Sequence, residues 1–423
     1  MGYAVGSLRN QIKLPVPGRR TAPFLTPQEV TSWLTLQRLM LGLPGVCTEP
    51  AMFYHHAGDV FVSDVQSRVL MAPGASLRFD TAFNILGIEV LGAACRLGRL
   101  AFALAGTGQV EVTLRQGLAS GAAERILSDI VSLDPTTESL FEVDRHLLNP
   151  QAGAIWVELH AVGGAQEVWI DRGRFLTDAR PEPAIHLAIC RPNAALPGAR
   201  PLADRTLALI LDWAAMQEDM VSVLTCGAVA EESPVLITLP PAQTAQAAHL
   251  ALLTAARLRG FSHVLMLDAD IALTMETLDR TLACLSLLRD PRLAIGAGTL
   301  EAADPWQLAR NGQVRTAKGK LRPLSARADL RKTDQVLEAN QLAAEEAQIV
   351  AQTSFLAFSL SALGQDPASA LLQDPAPGDL TLLRDGLLQV RQVPGLLIRR
   401  DPAGARAKSL VTLQNLILPE QGL

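Results

Sequence analysis

The sequence predicts an all-β unit followed by an α/β unit, on three observations. Apolar and polar residues alternate over 109–115, where Val110, Val112 and Leu114 interleave with Glu111, Thr113 and Arg115. The same pattern recurs over 154–160, where Ile155, Val157 and Leu159 interleave with Trp156, Glu158 and His160. A period of two marks strands with one buried face. From residue 185 onward the strands become continuous apolar runs separated by helix-period segments, as in a sheet covered on both sides. The change falls at 180–183, a charged and proline-rich stretch, Arg-Pro-Glu-Pro.

Taken in order, residues 1–34 are rich in Pro, Gly and Arg and read as an irregular lead-in. Residues 35–180 form the first unit, a β-sandwich with turns such as 161–165 and a helical excursion at 122–133. Residues 184–405 form the α/β unit. Its expected strands are 185–190, 221–226, 234–239, 263–267 and 293–298, in a mainly parallel sheet. Helices are expected over 205–217 and 245–258, with Gly260 as C-terminal cap. Thr274 caps a further helix in which Glu276 lies in the first turn and Leu278, Leu282 and Leu285 share one face. Residues 406–423 are a tail. Each unit is expected to have its own core.

The chain has 423 residues, 49% hydrophobic and 19% charged, which supports a large core and excludes global disorder. A formal net charge of −5 excludes binding to nucleic acid through bulk positive charge, and no nucleic-acid partner is expected. The five cysteines, Cys47, Cys95, Cys190, Cys226 and Cys284, are scattered without zinc spacing, so reduced thiols are expected. The first twenty residues lack an apolar signal core, and no apolar run reaches the roughly 18 residues of a membrane span. These features lead to the expectation of a soluble cytoplasmic protein.

The sharpest chemical signal is residues 264–273, VLMLDADIAL. An apolar strand delivers Asp268 and Asp270 to its C-terminal end, where open α/β sheets hold ligands. In extended chain the two carboxylates point the same way and repel, so a divalent cation or hydrogen bonds must compensate. Oxygen ligands suit Mg²⁺ or Mn²⁺, which would hold a diphosphate and stabilise its departure. The plain alternative is a helix-capping Asp beside a solvated one.

Several motifs together resemble the bacterial galactofuranosyltransferases of glycosyltransferase family two. Residues 79–84, FDTAFN, are similar to that family's FDTYFN signature. Residues 154–159 resemble the strand closing its β-sandwich. Residues 187–193, LAICRPN, are similar to its first nucleotide-binding strand, and 261–271, FSHVLMLDADI, to its metal-binding strand. Residues 296–312 and the Pro394-Gly395 turn also match. The resemblance covers about residues 35–415. It implies an N-terminal β-sandwich followed by a GT-A (Rossmann-like) nucleotide-sugar transferase domain. It further implies transfer of a sugar, galactofuranose from its UDP donor, to a glycan or lipid-linked acceptor in polysaccharide biosynthesis. Asp268 and Asp270 would bind Mn²⁺ or Mg²⁺. Arg191, Asn193, Trp306 and Arg400 would contact substrate, and Asp379 or Asp374 would be the catalytic base.

This sequence also departs from the pattern. Ala194 stands where the family has a nucleotide-binding Arg, residues 243–249 carry no glycine, and Thr353-Ser354 replace an acceptor-stacking Trp pair. The third metal ligand, a His, is replaced in Arg399-Arg400-Asp401-Pro402, and no His follows His263. Arg cannot bind a metal, but its charge can pair with Asp268 or Asp270. A direct ion pair from Arg399 or Arg400 is therefore expected. The competing reading is a catalytically inactive homologue that serves as a glycan-binding or partner-binding scaffold.

Lesser candidates remain. Tyr54-His55-His56 reads as a metal site or as structure. Trp33, Trp156, Trp169, Trp213 and Trp306 stack on sugars or pack in cores. Residues 310–332 hold eight basic residues against Asp329 alone. They form a solvated loop or a peripheral contact with phosphates or an inner-membrane surface. Homo-oligomerisation is also compatible with the sequence. Asp80 and Asn84, flanked by Phe79 and Phe83, are expected to be buried and hydrogen-bonded.

Overall fold

The computed structural model describes residues 33–400 apart from several internal segments, including 118–122, 193–199, 228–232, 365–370 and 373–381. The expected lead-in up to residue 32 and the tail at 406–423 lie outside the described residues.

Ten strands of the first unit join one sheet among the described residues. They are β1 (Leu34–Arg38), β2 (His55–Ala57), β3 (Val60–Ser63), β4 (Arg68–Met71), β5 (Ser76–Arg78), β6 (Leu100–Gly117), β7 (Glu124–Leu133), β8 (Ser139–Val143), β9 (Ala154–Ala161) and β10 (Val168–Thr177). All pairings are antiparallel, in the order β2-β5-β9-β6-β10-β4-β3, with β1 on β10 and with β7 and β8 on β6. The organising element is β6. Its first half pairs with β10 and β8, and its second half pairs with β7 and β9. The handover falls at Gly106 and Gly108. A Cβ at Gly106 would lie 1.9 Å from the Trp169 carbonyl oxygen, and Gly108 takes φ +94, so both positions need glycine for the strand to turn. One long strand thus carries the sheet around its own core, where Phe102 packs on Phe175 and Phe141 with ring centroids 5.1 and 6.4 Å apart. The helical excursion expected at 122–133 is instead β7. Of its residues Ile126, Val131 and Leu133 are buried, Leu127 is half-buried, and the others are exposed.

Nine strands form the second sheet. They are β11 (Leu187–Pro192), β12 (Val221–Cys226), β13 (Leu236–Leu239), β14 (His263–Leu267), β15 (Ile271–Ala272), β16 (Leu293–Leu300), β17 (Leu308–Arg310), β20 (Phe355–Ser359) and β23 (Gln389–Arg400). Two small hairpins, β18 (Gln313–Arg315) with β19 (Leu321–Pro323) and β21 (Leu371–Leu372) with β22 (Leu382–Leu383), stand apart. The helices are α1 (Ile88–Ala94), α2 (Arg200–Ala215), α3 (Ala245–Leu258), α4 (Met275–Ser286) and α5 (Thr333–Glu345). Thr244 and Thr274 cap α3 and α4 by accepting from Ala247 N–H and Thr277 N–H.

The fold class expected from the sequence is corrected here. Over the described residues as a whole strand predominates over helix, and the second sheet is mixed rather than mainly parallel. β13, β12, β11 and β14 run as a parallel set, and β16 pairs parallel with β23. β20 then inserts antiparallel to both β14 and β16, and β15 and β17 add further antiparallel edges. Continuous apolar strands were read as parallel because both arrangements bury two faces. The doubly wound nucleotide-binding sheet implied by the resemblance is therefore not what the chain forms.

The two sheets share no strand among the described residues. One apolar cluster nevertheless includes Val69 and Phe102 of the first sheet with Leu265, Ile295 and Ile398 of the second. That cluster spans both sheets, while a second one, including Ala188, Leu252 and Phe358, lies wholly within the later unit. At the seam lies Arg280 of α4, 2% exposed. Its guanidinium donates to the carbonyls of Phe83 (2.8 Å), Gly395 (2.9 Å) and Arg38 (2.8 Å), and to the Glu276 carboxylate (2.9 Å). Gly395 holds φ +79, and a Cβ there would stand 2.7 Å from Arg280 Nη1. Replacing Arg280 by Met should cost about 3–5 kcal/mol in denaturant unfolding, because three carbonyls and a carboxylate lose their donor. A loss under about 1 kcal/mol would show that the seam does not rest on this residue.

Candidate functional site

The site is built by backbone register. Strand β14 ends at Leu267, and the Asp268 N–H donates to the Ser354 carbonyl across the sheet at 3.2 Å. Three residues after Asp268, β15 pairs antiparallel with the end of β23 and places Ile271 opposite Arg400. That pairing brings Arg400 to two aspartates about 130 residues away. Arg400 Nε donates to Asp270 Oδ2 at 2.8 Å, and Nη2 lies 3.4 Å from Asp268 Oδ2. The ion pair expected between this arginine pair and the aspartates is present. Alternation along β23 assigns it to Arg400, whereas Arg399 Nη1 donates to the Val46 carbonyl at 3.4 Å.

Other groups complete the cluster. Arg191, 1% exposed at the end of β11, donates from Nη2 to the Ala269 carbonyl at 3.1 Å. It supports the backbone between the two aspartates. His249 of α3 lies with Nε2 3.7 Å from Asp268 Oδ1. Burial lowers the Arg310 pKa, the Arg400 charge lowers it further, and Asp268, Asp270 and Glu301 oppose both. Arg310 therefore feels both carboxylates, a position that nothing in its sequence context indicated. Asp268 and Asp270 are only 8% and 6% exposed. Asp270 Oδ1 is buried and has no hydrogen-bond partner among the described residues.

The divalent cation expected from the sequence does not fit these residues. Arg400 already pairs with both carboxylates, and Arg310 adds fixed positive charge. A metal would enter a field that is already compensated. Among the described residues no group of three His, Cys, Asp or Glu side chains is placed to hold a metal.

The remaining sequence candidates fall elsewhere. Asn193, Asp374 and Asp379 lie outside the described residues. Trp306 packs at the edge of a different apolar cluster, with the Arg331 guanidinium 5.1 Å from its ring centroid. In the basic stretch Arg310 is largely buried within the electrostatic influence of the aspartates, and the β18–β19 hairpin presents Arg315, Lys318, Lys320 and Arg322 to solvent.

The 79–84 segment is structural. Asn84, fully buried, donates to the Met40 and Phe53 carbonyls and accepts from Met40 N–H at 2.7 Å. Asp80 accepts from Thr333 Oγ1 at 3.0 Å and pairs with His55 Nδ1 at 2.7 Å, while His55 Nε2 meets the Arg331 carbonyl. His55 is therefore a strut between the first sheet and the segment leading into α5.

No family model matches the chain, and no curated protein matches it. The similar solved structures are carbohydrate-binding modules. A family 29 module mutant complexed with mannohexaose is 14% identical, covers 34% of this chain and 90% of its own, and has a TM-score of 0.21. The xylan-binding module CBM15 is 10% identical, covers 33% and 94%, and has a TM-score of 0.22. A CBM6 module from Clostridium stercorarium in complex with cellobiose is 12% identical, covers 29% and 85%, and has a TM-score of 0.19. With no family model joining the chain to galactofuranosyltransferases, the resemblance drawn from short motifs is corrected. The mixed sheet and the arginine-filled aspartate pair replace the GT-A domain and its metal-binding DxD motif.

Two predictions follow from this geometry. In calorimetric titration the unaltered protein should show no Mn²⁺ binding tighter than about millimolar, the consequence of fixed cations at both carboxylates. Micromolar binding would contradict the compensated cluster. The second concerns pH. The Asp80 hydrogen bond raises the His55 pKa, partly opposed by burial. Burial pushes the Asp80 pKa up, but His55, Arg78 and Thr333 together hold it below the usual value. The His55 contribution is complete below about pH 6.5 and is lost as pH rises through the raised value. The Asp80 contribution is present above about pH 3.9 and is lost as pH falls through the lowered one. The melting-temperature gap between the unaltered protein and His55→Gln should therefore be widest between about pH 4 and 6.5 and should shrink in alkali. A gap independent of pH would rule out the pair as a stabilising contact.

Proposed function

We propose that the protein binds a neutral glycan through the Asp268, Asp270, Arg310 and Arg400 cluster. The observation that carries this reading is the buried, unpartnered Oδ1 of Asp270 beside the Arg400 guanidinium. A carboxylate oxygen only accepts and a guanidinium only donates. Placed side by side, they complement a pair of neighbouring hydroxyls, each of which does both. Because the carboxylates and guanidiniums largely cancel, neither a free metal ion nor a highly charged anion is favoured over an uncharged polyol. The burial of the aspartates strengthens such hydrogen bonds by lowering the local dielectric.

Calorimetry with neutral oligosaccharides (manno-, xylo- and cello-oligosaccharides) and, separately, with UDP and UDP-sugars tests the proposal. Saturable binding of a neutral oligosaccharide is expected, with Asp270→Asn weakening it about tenfold, the worth of one hydrogen bond. Binding of UDP that strengthens with Mn²⁺, without neutral-sugar binding, would overturn it. So would an unchanged affinity in the Asp270→Asn protein.

A further inference from the structure

We propose that a cavity at the seam of the two sheets binds a single-chain amphiphile with a carboxylate head. The cavity has a volume of about 620 Å³, within the ~300–1,000 Å³ range of small-molecule sites. Its walls are mainly apolar: Ile88 and Val90 of α1, Leu97, Leu100 of β6, Val143 of β8, and Leu148. Ala344 of α5, Arg289 and Arg391 of β23 close it from the other sheet. A pocket framed by two layers of a fold is a usual place for a ligand. This one shares no residue with the aspartate cluster and does not rest on the glycan reading.

The charged groups in the wall decide the head group. Glu89 is committed, because its Oε2 accepts from the Gly153 N–H at 3.0 Å. Arg289 donates from Nε to the Cys95 carbonyl at 2.7 Å. Arg391 differs from both. Its Nε is buried with no hydrogen-bond partner among the described residues. Folded proteins seldom leave a buried charged donor unmet. Two guanidiniums against one carboxylate give the wall a surplus of one positive charge, which selects a monoanion. Glu89 disfavours a dianion such as a phosphomonoester. The planar guanidinium matches a carboxylate, and the apolar walls match a hydrocarbon chain.

The test is calorimetric titration of the full chain with decanoate, with decanol and decyltrimethylammonium as controls. Decanoate should bind saturably and at least tenfold more tightly than either control. Arg391→Met should weaken decanoate at least tenfold and leave decanol unchanged. Ala93→Trp, placed at the exposed mouth of the cavity on α1, should abolish binding of both while the melting temperature is retained. Equal affinity for decanoate and decanol would overturn the head-group assignment. Failure of decanoate to bind, or an Ala93→Trp protein that binds it normally, would overturn the site.

Discussion

The arrangement of the two sheets depends on one buried guanidinium. Arg280 reaches from α4 to carbonyl oxygens at the end of β1, in the 79–84 turn and at Gly395, while Glu276 one helical turn earlier balances its charge. Burial lowers the Arg280 pKa, against the opposing pull of Glu276. The residue tolerates burial because it has carbonyl acceptors in the three directions its fork can reach. Those carbonyls belong to segments far apart in sequence, so one side chain ties three of them together at the seam. The glycine at 395 is needed for the same reason, since a side chain there would take the space of the guanidinium.

The aspartate cluster shows the same logic with a different outcome. Here too buried charges are compensated by arginine, but satisfaction is incomplete, and one carboxylate oxygen faces no donor. Where Arg280 is saturated by the fold and is therefore structural, Asp270 retains capacity for a ligand. The seam cavity repeats this contrast, with Arg289 tied to a carbonyl and Arg391 not. Unspent hydrogen-bonding capacity, more than residue identity, separates the parts of this protein that hold it together from those that can bind.

Some of this site was legible in the sequence. The DAD strand and its delivery of two carboxylates to a strand end follow from apolar patterning and strand alternation. The need for positive charge follows from their repulsion, and Arg400 was nameable for want of a histidine. Arg310 was not nameable, because it arrives through an edge strand paired to β16. Arg191 reaches the same turn by donating to the Ala269 carbonyl, a bond that strand patterning does not announce. Short motifs also misled. FDTAFN reads as a family signature, but its Asp80 and Asn84 are occupied by bonds to the protein itself, and no family model matches the chain.

By itself the sequence determined the alternating strands of the first sheet, the apolar strands and capped helices of the second, and the change of texture between them. Each depends on periodicity and capping within a few residues, and local physics suffices. Tertiary structure alone decided that β6 turns from one set of partners to another, that β20 runs antiparallel between β14 and β16, and that Ile271 pairs with Arg400. Periodicity states which face of a strand is buried but is silent about which strand lies beside it. Backbone hydrogen bonds are chemically identical at every residue, so partner choice is settled only by how the whole core packs.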